Sequence, residues 1–164
     1  MPREHAKERM ISWLKDAHAM ERALESALTK QADHAKDDPT MRHRLIQHRD
    51  ETRRHAEMVE AALERCGSDS SAMKDFTGKA QAMFQGMMSG AAPDTAVKDV
   101  LTGIAAEHFE IACYRSLHAA AQALGDEATA QMCVQILRDE ESMAQFLESQ
   151  LPRVTQTELA EAAR

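Results

Sequence analysis

"RLIQHRDETRRHAEMV", residues 44–59, is the stretch whose reading decides the fold. Wound as a helix at about 100° per residue, it sets Leu45, His48, Thr52, His55 and Val59 along one line, with Met41 a turn earlier. The ends of that line are apolar and its middle is polar. Glu51 falls roughly 60° to one side of it. A helix that buries this face therefore turns two imidazoles and a carboxylate inward, where polar groups are costly unless something satisfies them. The rest of the chain bears on what could satisfy them.

Asp38 and Pro39 supply an N-cap and a first helical residue for this helix, and Cys66-Gly67 ends it near Arg65. Before it, Pro2 opens a first helix that runs to about Ala35. After it, residues 68–92 carry glycines, serines and methionines and read as a broken short helix with loops, long enough to cross the molecule. Pro93-Asp94 starts a third long helix that ends at Gly125, and Asp126 caps a fourth that Pro152 is expected to terminate. Two short antiparallel pairs joined by one long crossover make an all-α, ferritin-like four-helix bundle, with a long B–C crossover containing a short helix. The bundle is expected over residues 1–152, with 153–164 as a C-terminal tail.

Composition agrees and narrows the function. Aromatics are only 4% of the 164 residues, which favours helices throughout. A net charge of -7 argues against nucleic acid as a partner. The three cysteines are odd in number and show no CxxC spacing, so neither a disulfide framework nor a zinc knuckle is indicated. No signal-peptide core opens the chain, and no apolar run approaches the ~18 residues needed to span a bilayer. A cytoplasmic protein away from the membrane is the expectation.

The other three helices repeat the anomaly of the second. The first places Glu21 between Leu14, Ala17, Leu24 and Leu28; the third places Glu107 between Ile104 and Ile111, with Glu110 a turn on; the fourth places Glu140 between Ile136 and Ala144. A lone charge on such a stripe ordinarily snorkels to the bundle edge. Four at matching depth would repel one another and lose hydration, so they require cations or protons. Carboxylate and imidazole donors suit iron or manganese, so a pair of such ions is the expected cofactor. Glu110 could complete or bridge the site, His55 is the best imidazole ligand and His48 the second. Thr52 and Tyr114 are expected to orient the carboxylates by hydrogen bonds, and His18, a turn before Glu21, is within reach of it. His5, His34, His43, His108 and His118 lie off the stripe or near helix ends and read as surface residues. The eleven methionines read as flexible core filler.

"DAHAMERALESAL", "HRDETRRH", "AEHFEIACYRSL" and "LRDEESMAQFL", in that order, resemble the YciF-like bacterial stress proteins, a ferritin-like group, over roughly residues 10 to 151. The most specific pieces are the H-x-x-E-T-x-x-H pattern of His48, Glu51, Thr52 and His55 and the run from Glu107 to Ala112. The resemblance implies a homodimer with a di-iron centre, its ligands Glu21, Glu51, Glu107, Glu110 and Glu140 with a histidine of the second helix. This chain departs from the group in having His18 where a tyrosine is usual and Ala144 where an acidic residue is usual, and residues 68–92 lack a cysteine-containing piece. The expected function is a stress-related protein that reacts two iron or manganese ions with dioxygen or hydrogen peroxide, oxidising Fe(II). The alternative is a helical dimerisation or scaffold protein without bound metal, its inward glutamates paired with arginines or protonated.

Overall fold

A computed structural model describes residues 2–68 and 96–164 of the chain. Helix α1 spans Pro2–His34 and passes through a single 3-10 turn, Ala35–Asp37, into α2, Pro39–Arg65; α3 spans Ala96–Leu124 and α4 Glu127–Ala162. The described residues form an all-α four-helix bundle. The crossover and its short helix expected within 68–92, and the helix start expected at Pro93-Asp94, lie outside the described residues.

The helix ends follow from local chemistry. Asp38 accepts a hydrogen bond from the Met41 amide (3.1 Å), and Pro39, which has no amide proton to leave unpaired, takes the first helical position. Helix α2 closes with Gly67 at φ 77°, a conformation that costs a residue with a Cβ, while the Ser68 amide returns to the Leu63 carbonyl (3.0 Å). Gly125, at φ 73°, closes α3 in the same manner, and the next residue, Asp126, caps α4 through the Thr129 amide (3.0 Å). One Gly-Asp step thus ends one helix and begins the next, which forces α3 and α4 to fold back on each other.

Contacts across the bundle set the directions of the helices. Arg3 donates to the Leu124 carbonyl and His34 pairs with Asp99, so α1 and α3 run antiparallel. His55 meets Asp139 and Asp38 meets Arg153, so α2 and α4 do too. Helix α2 ends beside Arg3 and Leu124, whereas α3 begins beside the 3-10 turn at the other end of the bundle.

The buried apolar side chains fall into two clusters. One contains Leu14, Val59, Leu63, Leu117 and Ile136; the other contains Leu28, Leu45, Val100, Met143 and Leu147. Along α2 and α4 the gap between them is the stretch that carries His48 to His55 and Glu140. A polar layer interrupts the core at mid-height.

Two details differ from the sequence reading. Helix α4 does not stop at Pro152 but continues ten residues to Ala162. A proline inside a helix forfeits one backbone hydrogen bond and costs about 3 kcal/mol. Here the following turn is anchored: Val154 is buried in the second cluster, and Arg153 Nη2 lies 2.5 Å from Asp38 Oδ2. Helix α3 is also rotated slightly from the expected phase. Ile104 is only half-buried, and Gly103 faces inward, where a Cβ would stand 2.9 Å from Leu147 Cδ1. That rotation carries Glu110 fully into the interior beside Glu107.

Candidate metal centre

Glu21, His48, His55, Glu107, Glu110 and Glu140 are each at most 2% exposed. Their burial follows from helical phase, since each lies on the line of core residues of its own helix. The polar atoms form two triads. Glu21, His55 and Glu140 make one; His48, Glu107 and Glu140 make the other; within each, one donor atom per residue lies within 4.8 Å of the other two. Glu140 belongs to both, so the triads share a corner in the middle of the bundle.

Distances within the layer are short. His48 Nε2 lies 3.2 Å from Glu107 Oε2 and 3.3 Å from Glu140 Oε2, and His55 Nδ1 lies 2.8 Å from Glu140 Oε1 and 3.8 Å from Glu21 Oε2. These atoms approach without hydrogen-bonding geometry. Glu21 Oε2, Glu107 Oε2, Glu110 Oε2, both oxygens of Glu140, His48 Nε2 and His55 Nδ1 are all buried without a hydrogen-bond partner. Native interiors seldom leave buried polar atoms in this state, and so many in one layer make a site that could hold a metal ion.

The outer faces of the two imidazoles are satisfied. His48 Nδ1 lies 2.9 Å from Glu51 Oε2, and His55 Nε2 lies 3.0 Å from Asp139 Oδ2. Each ring is thus held by a carboxylate on the outside and offers its other nitrogen to the triad, the arrangement by which outer carboxylates fix the tautomer and raise the basicity of a ligating histidine. Glu51 itself is in neither triad. It turns away from the axis to accept from Gln47 Nε2 (2.8 Å) and Arg44 Nη1 (3.1 Å) as well.

The remaining predicted residues divide. Tyr114, fully buried, donates its hydroxyl to Glu21 Oε1. Thr52 does not bond a carboxylate; its hydroxyl donates to the His48 carbonyl one turn back on its own helix (3.0 Å), a habit of threonine inside helices. His18 is half-buried, and burial followed by Arg22 lowers its pKa against the opposing pull of Glu60 rather than of Glu21. Glu110 stands outside both triads. His5, His34, His43 and His108 are exposed and His118 is half-buried. The residues the sequence reading did not single out are Asp139, Arg44 and Gln47. Asp139 precedes Glu140 directly, but only the approach of α2 shows that it meets His55.

Charge in the layer is balanced by protons when no cation is present. Burial pushes the Glu107 carboxyl up to about 7 and raises Glu21; burial, then Glu140 and Glu21, push Glu110 well above the usual range. Burial alone would raise Glu140 too, but His48 and His55 override it and hold it at about 2. Burial opposes charge on the imidazoles as well, yet the surrounding carboxylates win, lifting His55 to about 10 and His48 well above its ordinary value. The layer therefore stores protons that a cation can displace. Once those protons leave, its converging carboxylate and imidazole donors fit ions such as iron or manganese.

Comparisons with known proteins match the chain over almost its whole length. A crystal structure of a protein from Xanthomonas campestris is 29% identical, with a TM-score of 0.81 over 98% of this chain and 99% of that one. YcfI of Rhodopseudomonas palustris, whose description suggests a structural role, is 21% identical, with a TM-score of 0.68 over 87% of this chain and 92% of its own, a likeness that speaks for the fold. A family model described as a domain of unknown function (DUF892) matches residues 5–160, and the chain belongs to that family.

Proposed function

We propose that this chain is a ferritin-like di-metal protein of the YciF-like kind, which binds two iron or manganese ions and reacts with dioxygen or hydrogen peroxide, oxidising Fe(II) and serving in a stress response. The observation that carries the reading is the set of unpaired, buried carboxylate oxygens and imidazole nitrogens that converge in two triads sharing Glu140. When bound, two such ions would supply one-electron oxidation steps at adjacent centres. Glu21 and His55 would hold one, His48 and Glu107 the other, with Glu140 common to both. Glu110, buried between Glu107, Glu21 and Glu140, offers a free oxygen to either. Carboxylates can change between terminal and bridging contact as ligand charge demands, and the neutral imidazoles limit the negative charge of the shell.

The apolar clusters above and below the layer exclude water from it, and Tyr114 fixes one oxygen of Glu21 so that the other faces the triad. The homodimer implied by the resemblance belongs to the same proposal and is checked by light scattering of the eluted peak.

A helical dimerisation or scaffold role without bound metal is the competing reading. In it the protons on His48, His55 and the raised carboxyls would be the permanent occupants of the layer. Elemental analysis after expression with iron or manganese, followed by oxygen consumption on adding Fe(II), separates the two. The di-metal reading expects two ions per chain and oxygen uptake that ceases in a Glu140→Gln variant. Fewer than one ion per chain, with a melting temperature indifferent to chelation, would refute it, because an ion that binds only the folded state must stabilise it.

A further inference from the structure

The two triads are alike inside, each with one imidazole, one carboxylate of its own and a share of Glu140. Outside they differ. His48 backs onto Glu51, whose side chain is 8% exposed and receives Gln47 and Arg44 together with the imidazole. His55 backs onto Asp139, whose side chain is 44% exposed. Asp139 and Glu140 are consecutive on α4, so one helix step places a carboxylate at each nitrogen of the same ring, one facing water and one facing the core.

From this difference we infer that the two metal positions are unequal: the position of His48, Glu107 and Glu140 holds a resident ion, while that of Glu21, His55 and Glu140 holds an exchangeable one, with Asp139 the positioning residue that governs its exchange. The inference rests on the di-metal reading above. Rotating His48 away from its triad would break a contact inside a buried polar cluster, leaving Glu51 short of a donor that water is poorly placed to replace. Rotating His55 breaks a contact with a half-exposed carboxylate, where water can take the place of the ring. The His55–Asp139 contact is where, among the described residues, an imidazole of a triad touches a half-exposed carboxylate. A cation drawn to Asp139 would be one ring's width from Glu140. This suits the exchangeable position to Fe(II) arriving as substrate and the other to a lasting partner.

The test uses the full chain loaded with Co(II), mixed with excess chelator while the Co(II) absorption is followed. Wild type should release its ions in two phases of equal amplitude. Asp139→Ala should speed the faster phase by about 10–100-fold, the usual loss when a carboxylate behind a ligating histidine is removed, and leave the slower phase unchanged. Asp139→Glu should restore the rate, which loss of fold stability alone would not explain, and Glu51→Gln should speed only the slower phase. Release of both ions in a single phase, or acceleration of both phases by Asp139→Ala, overturns the inference while leaving the di-metal reading standing. A wild-type chain that takes up no Co(II) overturns both.

Discussion

Replacing Glu140 by glutamine keeps the shape of the side chain and removes the charge that both histidines share. In the metal-free protein Glu140 is fully buried, 2.8 Å from His55 Nδ1 and 3.3 Å from His48 Nε2. His55 is lifted from 6.5 to about 10 by its carboxylates. A folded value above the unfolded one stabilises the protein fully below pH 6.5 and ceases to do so as the pH rises towards 10. At 1.36 kcal/mol per pH unit that contribution is on the order of 5 kcal/mol at pH 6.5, shared between Glu140 and Glu21. Removing one partner of a buried pair costs about 3–5 kcal/mol. Glu107, Glu110 and Glu21 are all raised in part by Glu140, so its removal relieves them and sets the expectation at the low end, about 3 kcal/mol. For a chain of this size that is a fall of roughly 6–12 °C in melting temperature. The assay is thermal unfolding by circular dichroism with chelator at pH 6.5 and again at pH 9.5, where the gap between variant and wild type should shrink. Repeating it with Mn(II) or Co(II) at about 100 times its dissociation constant should raise wild type by a further 2.7 kcal/mol or so per ion and leave the variant nearly unmoved. A variant that melts at or above wild type at pH 6.5, or that still takes up two ions, would refute the reasoning.

Other consequences can be checked independently. Metal binding should release protons, because His55 at about 10 and Glu107 at about 7 hold them in the metal-free layer at neutral pH; titration calorimetry in two buffers of different ionisation enthalpy measures this, and apparent affinity should rise about tenfold per pH unit for each proton displaced. Glu51 is held at about 2, against the push of burial, by His48, Gln47 and Arg44, so its contribution to stability is present above pH 4.5 and lost as the pH falls towards 2; Glu51→Gln should flatten the acid limb of unfolding across that window. Tyr114→Phe strips Glu21 Oε1 of its donor and should cost about 1–3 kcal/mol in urea unfolding of the metal-free protein. Pro152→Ala should stabilise the chain by up to about 3 kcal/mol, since the helix continues through that position; no gain would mean that the final turns contribute little.

Much of this architecture is a local property and was legible in the residues. A cap at Asp38, a proline at 39 and a Gly-Asp step at 125–126 act within four residues of themselves, so the boundaries of α2, α3 and α4 near them could be read directly. Helical phase is local as well, which is why Glu21, His48, His55, Glu107 and Glu140 could be placed on buried faces without any knowledge of their neighbours. Pro152 misled because its local cost is offset at a distance, by Val154 in the core and by Arg153 on Asp38 at the start of α2.

The roles within the polar layer belong to the tertiary structure alone. Sequence spacing puts Glu51 within reach of His48, Gln47 and Arg44 on its own helix but does not say whether its carboxylate turns to them or to the bundle axis. Nor does it pair Asp139 with His55, which lie 84 residues apart. Spacing along one helix fixes an angle about one axis, whereas contact between helices depends on how four axes approach and rotate. At about 100° per residue, a rotation of half a step exchanges which side chain meets the partner, as Gly103 and Ile104 show on α3. The residues determined that charge would be buried at mid-bundle; the packing of the helices determined which atoms were left facing one another without hydrogen-bond partners.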